Sequence, residues 1–146
     1  MAAFGLWKYT VDRDATALAY SRSDASGADA CNCLPCRNFR LARERVFPSE
    51  FLALLDRLGI DPRKEAEAYH MARTATGLHR YGGWFHFVGN LDETGDFPVV
   101  NFGDDFIAYM MRAGAPRLSS LKDLPAVQLE FEAEAVPWLL EEPEPI

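Results

Sequence analysis

The chain has 146 residues, 49% of them hydrophobic and 25% charged. That is the length and composition of one globular domain, and it excludes a disordered, collagenous or coiled-coil chain. Fifteen Lys and Arg against 22 Asp and Glu give a formal charge of −7, which argues against nucleic acid or an anionic membrane as partner, because neutralising phosphates needs basic surface.

The opening residues, Met1 to Tyr9, lack the basic and apolar regions of a secretory leader, and no stretch approaches the roughly 18–20 apolar residues of a membrane span. Phe4 to Val11 is short, aromatic and bounded by Asp12-Arg13-Asp14, so it reads as a first strand. Residues 21–30 are small and polar and read as a loop that delivers Cys31, Cys33 and Cys36. Residues 21–36 are then a connection inside a domain, too close to the start to border a separate core. After Pro35 the chain turns helical through Phe39, Leu41 and Val46.

Ser49 is the expected N-cap of the next helix, whose wide apolar face is Phe51, Leu52, Leu54, Leu55 and Leu58, with Gly59 as the stop. Asp61-Pro62 has the form of an N-cap and N1 pair, which predicts another helix from Glu65 to Arg73, ending near Gly77. Leu78 to Leu91 is aromatic and glycine-rich and reads as a strand. With the turn residues 92–96 and a return strand Phe97 to Phe102, the span 84–102 reads as a hairpin. Phe106 to Met111 fits a strand better than a helix. Val127, Leu129 and Phe131 alternate with Gln128, Glu130 and Glu132 as a half-buried strand.

Helices grouped between a first strand and a run of later ones predict a single α+β domain over residues 1–140, with a mainly antiparallel sheet and two or three helices inserted after the first strand. Its core should join Phe51, Leu54, Leu55, Leu58, Phe85, Phe87, Leu129 and Phe131. Residues 121–146 hold one basic and seven acidic side chains, so 141–146 reads as a solvated acidic tail.

Cys31-Asn32-Cys33-Leu34-Pro35-Cys36 is the unusual motif. An odd, tight set of cysteines is a poor disulfide framework, and without an export signal it points to a reducing cytoplasm. Thiolates are soft ligands, and three of them with an imidazole suit a closed tetrahedral zinc site. His70, His79 or His86 is a candidate fourth ligand. His86 belongs to the Trp84/Val88 face of its strand and reads as buried, while His79 lies near the strand entrance, so His79 is preferred over His86. Such a zinc would fix the polar loop to the sheet, and Arg37 and Arg40 would offset the residual charge. A second reading takes Cys33-Leu34-Pro35-Cys36 as a redox pair opening a helix. A third takes the cysteines as small, packed apolar residues.

The other polar groups carry blander expectations. His70 falls on the predicted helix, the Arg37/Arg40/Arg43 stripe reads as a solvated helix face, Asp104-Asp105 as a turn or cap, and Glu130, Glu132 and Glu134, on the solvent face of a strand, as edge protection or solubility charge. P-loop, dinucleotide-binding, nucleophile-elbow and His-Glu-x-x-His motifs are missing from the sequence.

Cys-x-Cys-x-x-Cys-Arg-Asn-Phe, the Phe47-Pro48 to Asp61-Pro62 stretch, Tyr81-Gly82-Gly83-Trp84-Phe85-His86-Phe87-Val88-Gly89 and the closing Val127-Gln128-Leu129-Glu130-Phe131 are together similar to a group of uncharacterised bacterial proteins, over about residues 30–140. The resemblance implies a bacterial single-domain protein and brings no activity with it. The resulting expectation is a cytoplasmic binding or interaction protein with a structural zinc site. The alternative is an enzyme that uses the cysteines, by thiol redox or through a metal.

Overall fold

A computed structural model describes residues 2–23, 26–92, 98–114 and 116–145. Its seven strands form one antiparallel sheet in the order β1-β2-β4-β7-β6-β5, with β3 also paired to β4, which is the predicted α+β class. No helix among the described residues is long and apolar enough to cross a membrane.

The first predicted strand is a hairpin, β1 (Ala2–Phe4) and β2 (Trp7–Val11), with Phe4 opposite Trp7 across a Gly5-Leu6 turn. An unpredicted helix follows, α1 (Arg13–Ser21), capped by the Asp12 side chain, which accepts from Ala15 N–H at 3.0 Å. Within the expected loop, a four-residue helix α2 (Gly27–Ala30) is closed by a reciprocal capping box between Ser26 and Asp29. Helix α3 (Leu34–Val46) starts at the cysteines, as expected. Helix α4 (Ser49–Leu58) has Pro48 at its N-cap, with Ser49 already helical. Gly59 stops it in the left-handed conformation at φ +82°, where a side chain would be strained.

The helix predicted for Glu65 to Arg73 is instead strand β3 (Glu67–Ala75), paired antiparallel with β4 (Leu78–Leu91). Glu, Ala, Met and Arg favour a helix only weakly, and the exposed edge of β4 overrides them. The pairing explains the glycine pair in β4. A Cβ on Gly82 would come within 2.5 Å of the Tyr69 ring, and one on Gly83 within 2.6 Å of Phe131. The hairpin over 84–102 does not form. Residues 93–97 lie outside the described residues, β5 (Val100–Asn101) pairs with β6 (Phe106–Arg112), and β4 pairs along its other edge with β7 (Ala126–Pro137).

One edge of β4 is shared by three partners. Its first half pairs with β3 as far as Trp84, and its end pairs with β2 from Gly89. Between them α1 stands in for a strand. The Tyr20 hydroxyl donates to His86 O at 2.7 Å and accepts from His86 N–H at 3.2 Å, and Thr16 Oγ1 accepts from Val88 N–H at 2.9 Å. The backbone polar groups that would otherwise be buried unpaired are thereby satisfied.

The core lies between the inner face of the sheet and helices α3 and α4. All eight predicted core residues are buried in it. Phe47, Phe51, Phe85, Phe106 and Phe131 are its centre, with Phe51 and Phe106 at 4.8 Å and Phe47 edge-on to Phe131 at 5.1 Å. Each such ring contributes about 1.5–3 kcal/mol by burial, plus a smaller gain from offset or edge-on geometry.

Candidate metal centre

The cysteines occupy the turn between α2 and α3. Cys31 is half-buried and follows α2, Cys33 is exposed and is the N-cap of α3, and Cys36 is buried in the first turn of that helix. Pro35, with its fixed φ and missing N–H, suits a helix start. It brings Cys36 round beneath the other two thiols. The three sulfurs lie within 4.8 Å of one another, with Cys31 and Cys33 Sγ atoms 3.1 Å apart. A tetrahedral zinc with sulfurs at about 2.3 Å sets them about 3.8 Å apart, so the existing spacing brackets what such an ion needs. All three thiols are free.

The two outer thiols differ from the inner one in more than exposure. Hydrogen bonds from the Cys33 backbone N–H and then from the Cys33 and Cys36 thiols hold the Cys31 thiol below its ordinary range. Burial pushes the Cys36 thiol upward, reinforced by its two sulfur neighbours. Cys31 is therefore the readiest thiolate, and Cys36 surrenders its proton only to a strong competitor such as a metal ion.

The predicted histidine ligands are not part of this group. His86 projects from the outer face of β4 beneath residues 116–124, with Nε2 at 3.1 Å from Gln128 Oε1. Its pKa is lowered to about 4, mainly because burial disfavours the cation. His79 is also buried, but on the inner face, with both ring nitrogens occupied: Nδ1 lies 2.8 Å from His70 Nε2, and Nε2 lies 2.9 Å from Glu144 Oε2. His70 is on β3, directly opposite Tyr81, and not on a helix. Among the described residues, the group of convergent soft ligands is the three cysteines alone.

The loop is anchored without an ion. The expected solvated stripe on α3 does that work. Arg40 Nη1 donates to the carbonyls of Ala28 at 2.7 Å, Cys31 at 2.8 Å and Asp29 at 3.3 Å. Arg43 is buried, and its Nη2 donates to Ser26 Oγ at 2.9 Å and to Glu65 Oε1 at 3.0 Å, with Asp29 Oδ1 at 3.5 Å. Arg37 pairs with Glu142 at 2.9 Å, which leaves Arg40 as the guanidinium seated on the cysteine turn. A capping box and two long basic side chains are legible as types in the sequence. The long-range partner Glu65 is not, because it lies where a helix was expected.

The acidic residues expected at an exposed sheet edge also have other roles. Strand β7 lies between β4 and β6, so Glu130, Glu132 and Glu134 are not at an edge. Glu130 accepts from the Tyr109 hydroxyl at 2.6 Å, and Glu134 pairs with Arg80.

Comparison with models of protein families, with curated proteins and with solved structures gave no match to this chain.

Proposed function

We propose that this is a bacterial, cytoplasmic binding or interaction protein that holds one soft metal ion, zinc by preference, through Cys31, Cys33 and Cys36. The single observation that supports this reading is the convergence of three free sulfurs within 4.8 Å on one helix-opening turn. Three thiolates carry −3 against the ion's +2, and the Arg40 guanidinium beside the turn compensates the remainder. With the histidines engaged elsewhere, the fourth position belongs to solvent or to an incoming donor. The ion is therefore more accessible than in a closed structural site.

Elemental analysis of protein purified without a metal-affinity tag tests this. Near-stoichiometric zinc, lost in Cys33→Ser, is the expected result. Metal-free, well-folded protein refutes it.

The 3.1 Å approach of Cys31 to Cys33 and the lowered Cys31 thiol favour a second reading, a thiol-redox site. It predicts a disulfide that forms under mild oxidant and returns to two thiols with dithiothreitol, in protein that binds no zinc.

A further inference from the structure

The segment after β7, residues 138–145, has no helix or strand, yet it is held at Trp138, Leu139, Glu142 and Glu144. Trp138 N–H donates to Gly77 O at 3.0 Å, and its indole Nε1–H donates to Glu142 O at 2.8 Å. Leu139 N–H donates to Asn38 Oδ1 at 2.6 Å. Glu142 then meets Arg37 at 2.9 Å, and Glu144 meets three donors: Arg73 Nη2 at 2.8 Å, Gly77 N–H at 2.9 Å and His79 Nε2 at 2.9 Å. The sequence predicts a solvated tail here because Glu-Pro repeats bury nothing of their own; their partners lie 65 or more residues away.

The donors to the two carboxylates come from the helix and the sheet. Arg73, Gly77 and His79 come from the β3–β4 hairpin, and Arg37 from α3. His79 is a preset donor. A carboxylate only accepts, so His79 Nε2 carries the proton in this contact, and Nδ1 shares the second hydrogen bond of the ring with His70 Nε2. To Arg37, Arg73, the Gly77 amide and His79 the moored segment presents carboxylates. Glu142 and Glu144 are two apart, each followed by a proline that fixes φ and removes an N–H. The groove thus meets carboxylates at that spacing.

The present fit is loose. Glu142 and Arg37 are each about 40% exposed, a range in which an ion pair is weak. Among the described residues, Arg73 Nε is buried without a hydrogen-bond partner, because Glu144 reaches that guanidinium through Nη2 alone.

We propose that this groove is a docking site for an acidic peptide of a partner, with carboxylates two residues apart, and that the chain's own Glu142–Pro145 segment is its intramolecular occupant. The tethered segment competes at high effective concentration, so an outside peptide gains access when the tether's acids are removed or when it adds contacts of its own.

The probe is acetyl-Glu-Glu-Pro-Glu-Pro-amide titrated into the full-length chain, read by the Gly77 amide and the His79 ring in NMR. The expected result is binding to Glu142→Ala/Glu144→Ala at least about tenfold tighter than to the wild type, with the Gly77 amide moving towards its wild-type position. The Gln-substituted peptide should not bind, and adding Arg73→Gln to the variant should abolish binding. A folded variant whose Gly77 amide shows an empty site but that ignores the peptide overturns the proposal. So does a wild-type dimer built by exchange of this segment, which would make a second copy the occupant. Should the double variant fail to fold, Glu144→Ala alone carries the same comparison.

Discussion

Two polar regions sit on either side of helix α3 and behave oppositely. At its N-terminus three thiols, one buried and two reaching the surface, cluster within one turn, each partnered by the other two. Along its last turns Arg43 is sealed against Ser26, Asp29 and the fully buried Glu65. Burial pushes the Glu65 carboxyl upward against the opposing pull of Arg43, so the pair is under tension and depends on completeness. The cysteine turn has no such debt. A buried polar network fails when one member is lost, while an exposed cluster of soft ligands is free to bind or release.

The sharpest way to break this contrast is Arg43→Ala. It leaves Glu65 charged and uncompensated and should cost about 3–5 kcal/mol in urea unfolding, since the buried pair loses one partner. Replacing both with Met should recover much of the loss. Cys33→Ser in metal-free protein should change stability by no more than about 0.5 kcal/mol, as for ordinary surface substitutions.

His86 extends the comparison to pH. Its folded pKa of about 4 lies below the unfolded value of 6.5, so the native state binds fewer protons. Stability is intact above pH 6.5 and falls as pH drops towards 4, by up to about 3 kcal/mol. Arg117 adds to this penalty, and Gln128, which bonds Nε2, opposes it. Urea unfolding at pH 7 and pH 4.5 should show the loss in wild type and a smaller one in His86→Gln.

The smallest effect is kinetic. In metal-free native protein, iodoacetamide should label Cys31 first, at a pH below that of an ordinary thiol, and Cys36 last, and added zinc should then protect all three. Equal rates at Cys31 and Cys36 would remove the distinction between outer and inner sulfurs.

Legibility in the sequence followed the range of the interactions. Helix α4 and strand β7 were readable because their periodicity and stop signals are local, and so were the eight core residues. The cysteine cluster was readable because its ligands fall within six residues. Strand β3 was misread because Asp61-Pro62 imitates a helix start; Asp61 instead accepts from Arg63 N–H in a turn. Helix α1 was missed because its Asp12 cap was read as the end of a strand. The placement of the histidines was legible only in part. Strand parity separates the faces of His79 and His86 correctly, yet it cannot show that Glu144 and His70 already hold His79.

The three-way splice along β4 also sets an order of events in time. Tyr20 meets His86 across 66 residues, and Thr16 meets Val88 across 72, whereas β3 and β4 are joined by a two-residue turn at Thr76-Gly77. Loop closure favours the near pairing first. During synthesis, the hydroxyls of Thr16 and Tyr20 therefore have no strand to cap until β4 has emerged, and α1 takes its place on that edge after β3 and β4 have paired.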